Sequence, residues 1–212
     1  LQQRNAVLKF GPNKNIKKEI KIWNEPFAEK AESFWKKRRK LIAEFSKIFK
    51  ETVKNLEIGI ECDICYSPQK TRKEEVISFI EKTLEAEKAL GFTTHGPHRD
   101  DFVFKWGGRA IRKHGSQGEH KMFLALLKTT ELLFISKKTN KNPVFLIDDI
   151  FANLDIDRSK RLLRFVEKLR FQKKTKPQTI ITTTDILEVQ KEGFFLNYNK
   201  IKKQKLQLNE TS

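Results

Sequence analysis

"NPVFLIDDIFANLD", residues 142–155, is the stretch whose reading decides the fold. Four apolar residues, Val144 to Ile147, run into two adjacent carboxylates, Asp148 and Asp149, with Ile150 just beyond. A short apolar run bounded this way reads as a buried strand. Two like charges at its end are costly unless something positive meets them. In an open α/β sheet, the carboxyl end of a strand opens on the ligand crevice. There Asp148 can hold a divalent cation, usually through water. Asp149, one residue on, can orient or deprotonate an attacking water, the division of labour that nucleotide hydrolysis needs. The plainer alternative is a salt-bridged pair capping a loop.

Two neighbouring stretches favour the first reading. "HGSQGEHK" (114–121) sets a Ser-x-Gly turn directly before an amphipathic helix, whose free N–H groups and positive dipole end suit a phosphate. Ser116 is also an ordinary helix N-cap, so this signal is weak by itself. "TIITTTD" (179–185) ends a second apolar strand in hydroxyls and a carboxylate, although β-branched residues in a strand need no function.

Outward from these stretches the periods predict a helix over 117–137, the strand over 143–148, a helix over 157–171 and a strand over 179–183. "GFFLNYNKIKKQKL" (193–206) reads as two short strands. Upstream, "GFTTHGPHRDD" (91–101) is a polar loop, followed by a hairpin of Phe102–Trp106 and Arg109–Lys113 around a Gly-Gly turn. Residues 26–56 form one long amphipathic helix, with Phe34, Trp35, Leu41, Ile42, Phe45, Phe49 and Val53 on its apolar side. Alternation at Leu56, Ile58, Ile60, Cys62 and Ile64 predicts a strand. A helix over Arg72–Leu90 then stops at Gly91. The fold class is therefore α/β. A mostly helical arm with one strand, residues 1–90, precedes an α/β lobe, residues 91–212, with a central sheet and flanking helices.

Lysine and arginine total 44 against 27 acidic residues, a formal net charge of +17. Such a field attracts polyanions, nucleic acid first among them. The cations cluster at "KKRRK" (36–40), "RFQKKTK" (170–176) and "KIKKQK" (200–205). Lys36, Lys37, Arg38, Arg39 and Lys40 are the leading DNA-contact candidates, against the alternative of a merely solvated helix face. No stretch approaches the ~20 apolar residues of a membrane span. No N-terminal signal is recognisable, so the expected compartment is the cytoplasm. Cys62 and Cys65, with His95 and His98, mimic a four-ligand zinc set. Three-residue spacing within an alternating strand turns the two thiols to opposite faces, which argues against that site.

Taken in order, "QRNAVLK", "GPHRDDF", "GSQGEHK", "FLIDDIFANLD" and "ITTTD" resemble the motifs of the RecF family, whose head is an ABC-type ATPase. The resemblance covers nearly the whole chain, and the run of five is specific where no single motif is. It implies a partial ATPase head, the second lobe, behind a helical arm. It also implies ATP and Mg²⁺ as cofactors and an ATP-dependent homodimer on gapped or duplex DNA. Family membership implies work in recombinational gap repair, replication restart and the SOS response, with RecR and RecO helping to load RecA. By the same resemblance Asp148 orders Mg²⁺ and Asp149 is the catalytic carboxylate. Ser116, Gln117 and Gly118 clasp a partner's nucleotide, and Asn153, Leu154 and Asp155 form the D-loop. Thr184 stands where related transporters carry a switch histidine. His95 to Asp101 matches a family motif with no assigned chemistry.

Two departures from the ABC pattern stand out. Glu119 occupies a position usually held by Gln, and no G-x-x-x-x-G-K-[ST] loop occurs in the sequence. With Leu1 opening inside a helical pattern, the expectation is a portion of a longer protein whose phosphate-binding lobe lies upstream, and hydrolysis by this portion alone is not expected. The competing readings are a basic DNA-binding module without hydrolysis, a zinc-stabilised adaptor, and an SMC-like structural ATPase, which would need long heptad coiled coils absent here.

Overall fold

An apolar row at helical spacing, Ile16, Ile20, Ala28, Ala31 and Trp35, is buried along a single helix, α2 (Ile16–Leu56). The computed structural model describes residues 1–10, 16–148, 156–171 and 177–182. At 41 residues α2 is about 60 Å long. It starts ten residues before the expected position, because the stripe continues backward through Pro26. That proline sits on the exposed side, where water can bond the carbonyl that its missing N–H leaves unpaired.

The chain divides into two compact units, residues 1–51 with 60–114, and residues 52–59 with 115–212. In the first, α1 (Gln2–Phe10) and α2 are joined by α3 (Lys73–Lys82) and α4 (Leu84–Leu90). The single helix expected over 72–90 is split at Thr83, whose hydroxyl donates to the Phe79 carbonyl at 2.9 Å. Gly91 ends α4 in the left-handed region at φ 74°, as a C-terminal stop requires. Ala28, Ala31, Trp35, Val76 and Ile80 form the core cluster, with Phe27, Tyr66 and Ile77 packed on it.

β1 (Cys62–Cys65), β2 (Val103–Trp106) and β3 (Arg109–Ala110) make an antiparallel sheet in that order. Cys62 pairs with Trp106 and Cys65 with Val103. β1 is shorter than the alternation suggested, because Glu57 (φ 54°) and Gly59 (φ 67°) turn the chain before a strand can begin. The hairpin's second arm also ends early, giving way to the single turn α5 (Ile111–His114). Through the β1–β2 pairing, residues 91–114 pack with the first unit.

The second unit contains α6 (Gln117–Thr139), β4 (Phe145–Asp148), α7 (Ile156–Lys168) and β5 (Thr179–Thr182). β4 and β5 pair in parallel, Phe145 with Thr179 through Asp148 with Thr182. β4 alternates: Phe145 and Ile147 are buried while Leu146 and Asp148 are exposed. α7 buries Leu162, Leu163, Phe165 and Val166, and its Arg161 donates to the Glu57 carbonyl at 3.0 Å. Helices alternating with a parallel strand pair fit the α/β class and the partial ATPase-head architecture. Among the described residues no helix is long and apolar enough to cross a membrane.

Candidate functional site

Parallel pairing in this register has a chemical consequence at the strand ends. It sets Asp148 beside Thr182 at the carboxyl ends of two neighbouring strands. The Thr182 hydroxyl donates to Asp148 Oδ1 and so fixes the rotation of the carboxylate. Asp148 remains exposed, available to a cation through water. Sequence reasoning did not single out Thr182. The signal was present in the period-two alternation of "TIITTTD", which places alternate threonines on one face. Asp149, Asn153, Leu154, Asp155 and Thr184 lie outside the described residues.

Ser116 is the N-cap of α6, with extended backbone (φ −69°, ψ 164°). Its Oγ accepts from the Glu119 amide at 3.2 Å, and its own amide donates to Glu119 Oε2 at 2.8 Å. This reciprocal capping box explains a glutamate at a position where related signatures carry Gln: either side chain can close it. Ser116 spends an acceptor on the cap and keeps its O–H, so the hydroxyl can still donate to an anion. Gln117 is exposed and Gly118 half-buried.

The basic run on α2 is not uniform. Lys36, Lys37, Arg39 and Lys40 are exposed, with Arg39 donating to Thr71 Oγ1 at 2.9 Å. Arg38 turns inward instead. Its Nη1 donates to Asp100 Oδ2 at 2.7 Å and to the Pro97 carbonyl at 2.8 Å, and its guanidinium lies over the Phe34 ring at 4.4 Å. Asp100 Oδ2 also accepts from Trp35 Nε1 (2.7 Å) and from the Tyr66 hydroxyl (2.5 Å). A partly buried ion pair with this many further bonds is a structural clamp, which sets Arg38 apart from its four neighbours as a DNA-contact candidate.

That clamp closes one end of the loop His95 to Asp101. A second closes the other. Arg4, 1% exposed, donates to Glu87 Oε2 (2.7 Å), Asn24 Oδ1 (3.0 Å) and Thr93 Oγ1 (2.5 Å). Glu87 Oε1 receives the amide of Thr94 at 2.6 Å and its hydroxyl at 2.9 Å. Between the anchors, His95 lies against Phe79 and Trp35 and bonds the Lys70 carbonyl at 3.0 Å. His98 bonds the Thr93 carbonyl at 3.1 Å. Both imidazoles are thus engaged as packing groups. A Cβ on Gly96 (φ 150°) would come within 2.7 Å of the Phe27 ring and 2.8 Å of His98. The motif that carried no chemistry in the sequence is a clamped loop.

Two groups of the first unit titrate late. Burial, then the bond to Asp100, pushes Tyr66 from an ordinary 10 up to about 12. Burial pushes Cys62 from 9 up to about 12. In both cases the fold favours the protonated form, so the stabilisation is complete below the ordinary pKa and lost as pH rises toward 12. The first unit is therefore expected to lose stability between about pH 9 and 12, which a denaturant titration followed by Trp fluorescence would show. A flat stability profile across that range would contradict the burial of both groups.

With the strand ends and the signature turn placed, known proteins can be set beside this chain. No family model matches the sequence. The DNA replication and repair protein RecF of Geobacter metallireducens is 33% identical over 195 residues, which cover 88% of this chain and 51% of that protein. RecF of Alkaliphilus oremlandii is 29% identical over 217 residues, 95% of this chain and 57% of that protein. A solved structure of the recombination mediator protein RecF with ATP, from the RecFOR pathway, superposes with a TM-score of 0.68 at 23% identity. It matches 88% of this chain and 51% of the solved one. Over most of its own length the chain is similar to RecF. It spans about half the length of the RecF relatives it matches. The structural likeness, at that identity, establishes a shared fold with RecF, and the sequence matches establish the kinship.

Proposed function

We propose that the chain supplies the acidic strand, the signature turn and the basic arm of a RecF-type protein, one that binds DNA as an ATP-induced homodimer. Asp148 orders Mg²⁺, Asp149 is the catalytic carboxylate, and Ser116, Gln117 and Gly118 reach the nucleotide of the partner subunit. Asn153, Leu154 and Asp155 line that dimer contact as the D-loop, and Thr184 senses the γ-phosphate. The protein acts in the cytoplasm in recombinational gap repair, with RecR and RecO, to promote loading of RecA. The observation that carries this reading is the parallel register that brings the Thr182 hydroxyl onto Asp148 at the strand ends. An acidic group held open to solvent there is what a Mg²⁺-nucleotide site needs.

A full-length protein tests the signature turn directly. Ser116→Ala removes one cap and is expected to lower stability by only about 1 kcal/mol. Loss of ATP-induced dimerisation in a variant that stays folded, measured by light scattering with and without ATP, supports the clasp. Dimerisation at unchanged ATP concentrations refutes it.

Net charge of +17 and four exposed cations on one stretch of α2 support DNA contact there. Neutralising Lys36, Lys37, Arg39 and Lys40 to Gln is expected to flatten the salt dependence of DNA binding, by about 0.9 in log–log slope for each phosphate no longer neutralised. An unchanged slope removes the arm from the DNA-binding surface. Binding with a steep salt slope and no response to ATP would instead favour a DNA-binding module without hydrolysis.

A further inference from the structure

The turn Lys70–Arg72, between β1 and α3, is fixed at three points. His95 Nε2 bonds the Lys70 carbonyl at 3.0 Å, Arg39 Nη1 donates to Thr71 Oγ1 at 2.9 Å, and the Arg72 amide donates to Glu75 Oε2 at 3.1 Å. Lys70 adopts φ 51°, a left-handed backbone that a lysine enters at a cost. Its ammonium lies over the Phe79 ring, 4.3 Å from the centroid. So much order is spent on a turn that faces solvent: Lys70 and Arg72 are exposed and Thr71 is half-buried. Strain held in place at a surface turn points to a site.

The charges gathered there are not neutralised. Among the described residues, Lys36, Arg39, Lys40, Lys70 and Arg72 make no ion pair. Their neighbours do: Arg38 pairs with Asp100, Lys50 with Asp63 and Lys73 with Glu25. Arg39 bonds a neutral hydroxyl, which leaves its charge whole, and the rest of its guanidinium fork has no acceptor among the described residues. Thr71 Oγ1 accepts from Arg39 and keeps its own O–H to donate. Lys36 stands three residues before Arg39 and four before Lys40, so it neighbours both on the surface of α2.

We propose that Arg39, Thr71 and Arg72 grip one phosphate of the DNA backbone, and that Lys36 and Lys40 take the phosphates beside it. The inference rests on the reading of the arm as a DNA-contact surface, and it adds the β1–α3 turn as a second wall of that surface. A guanidinium fork takes phosphate oxygens in parallel bonds, and the threonine hydroxyl supplies a further donor. Contacts of this kind set the register of the protein on DNA without reading its sequence. A row of unpaired cations suits a chain of phosphates better than a lone anion. The clamped loop gains a role here, because its His95 holds the turn in place before binding and spares the ordering cost.

The test uses the full-length protein with ATP and a short fluorescein-labelled duplex, followed by anisotropy over a range of salt concentrations. Arg72→Gln and Arg39→Gln are each expected to lower the log–log salt slope by about 0.9, the share of one phosphate. The double variant is expected to lose no more than either single one, because the two residues share that phosphate. Arg72→Lys keeps the charge and is expected to keep the slope. Thr71→Ala is expected to weaken binding about tenfold at fixed salt with the slope unchanged, since the hydroxyl is neutral. Lys82→Gln, at the far end of α3, is expected to alter neither. A full slope in Arg72→Gln overturns the proposal, and so do additive losses in the double variant, which would put the two arginines on separate phosphates. If Arg72→Gln has no effect while neutralising Lys36, Lys37, Arg39 and Lys40 flattens the slope, the arm still binds DNA and the turn alone is excluded. If neither flattens it, the reading of the arm falls as well.

Discussion

Glu87→Ala is expected to destabilise the first unit by about 3–5 kcal/mol, enough to unfold a marginal domain. Arg4 and Glu87 are among its most deeply buried side chains, at 1% and 0% exposed, and they lie 83 residues apart in sequence. Removing the carboxylate leaves a buried guanidinium facing two neutral oxygens, Asn24 Oδ1 and Thr93 Oγ1, with no counter-charge. It also strands the amide and hydroxyl of Thr94. Glu87→Gln should be nearly as damaging. Every partner of Glu87 is a donor, and a Gln amide offers only one acceptor oxygen in place of two. The discriminating variant replaces both partners, Arg4→Met with Glu87→Leu. It should recover much of the stability, since a buried pair is far costlier to break than to exchange for apolar groups. Urea titrations of the three variants measure this. A single-residue effect below about 1 kcal/mol would mean that water already reaches the pair.

The same pair shows why part of this fold was legible in the sequence and part was not. Periodicity is a local property, and it placed the helix after Ser116, the strand ending at Asp148, the amphipathic helix α7 and the strand through Ile181 within a few residues of their observed bounds. Gly91 was legible as a stop because left-handed backbone has few other occupants. Errors arose where one residue type has two local meanings. Proline commonly opens a helix and is disfavoured inside one, so Pro26 hid the first turns of α2. Alternation from Leu56 to Ile64 carried no sign that Glu57 would take positive φ. Long-range ion pairs left no signature at all. Arg38 reads as one cation in a run of five, and only its fold partner Asp100, 62 residues away, separates it from the others. The loop from His95 to Asp101 was recognisable as a family motif, yet its role rests on contacts with Trp35 and Arg38 that no spacing rule encodes. At the candidate nucleotide site the chemistry was legible as residue type, an acidic strand end and a Ser-Gly turn. Which hydroxyl meets Asp148 depends on the strand register, and that is a tertiary fact.

In the full-length protein, Asp149→Asn is expected to lower ATP turnover by about 100- to 10,000-fold while ATP-dependent dimerisation persists. That is the range over which a positioned general base acts. On the function proposed above, the two adjacent carboxylates would divide one reaction. Asp148 is held by the Thr182 hydroxyl and open to solvent, a geometry for carrying cation charge and not for moving a proton. Asparagine at 148 would keep an oxygen for Thr182 and lose only that charge, so Asp148→Asn should weaken nucleotide binding and dimerisation together. Asparagine at 149 loses the base and leaves the cation site whole. Single-turnover hydrolysis, read beside light scattering, separates the two: one variant binds without turning over, and the other fails to bind. If both variants hydrolyse ATP at the unaltered rate, the acidic strand end is structural, and the salt-bridged-loop reading of residues 148–149 takes its place. If Asp149→Asn abolishes dimerisation as well, that carboxylate belongs to the binding step, and the base must come from another residue of the head.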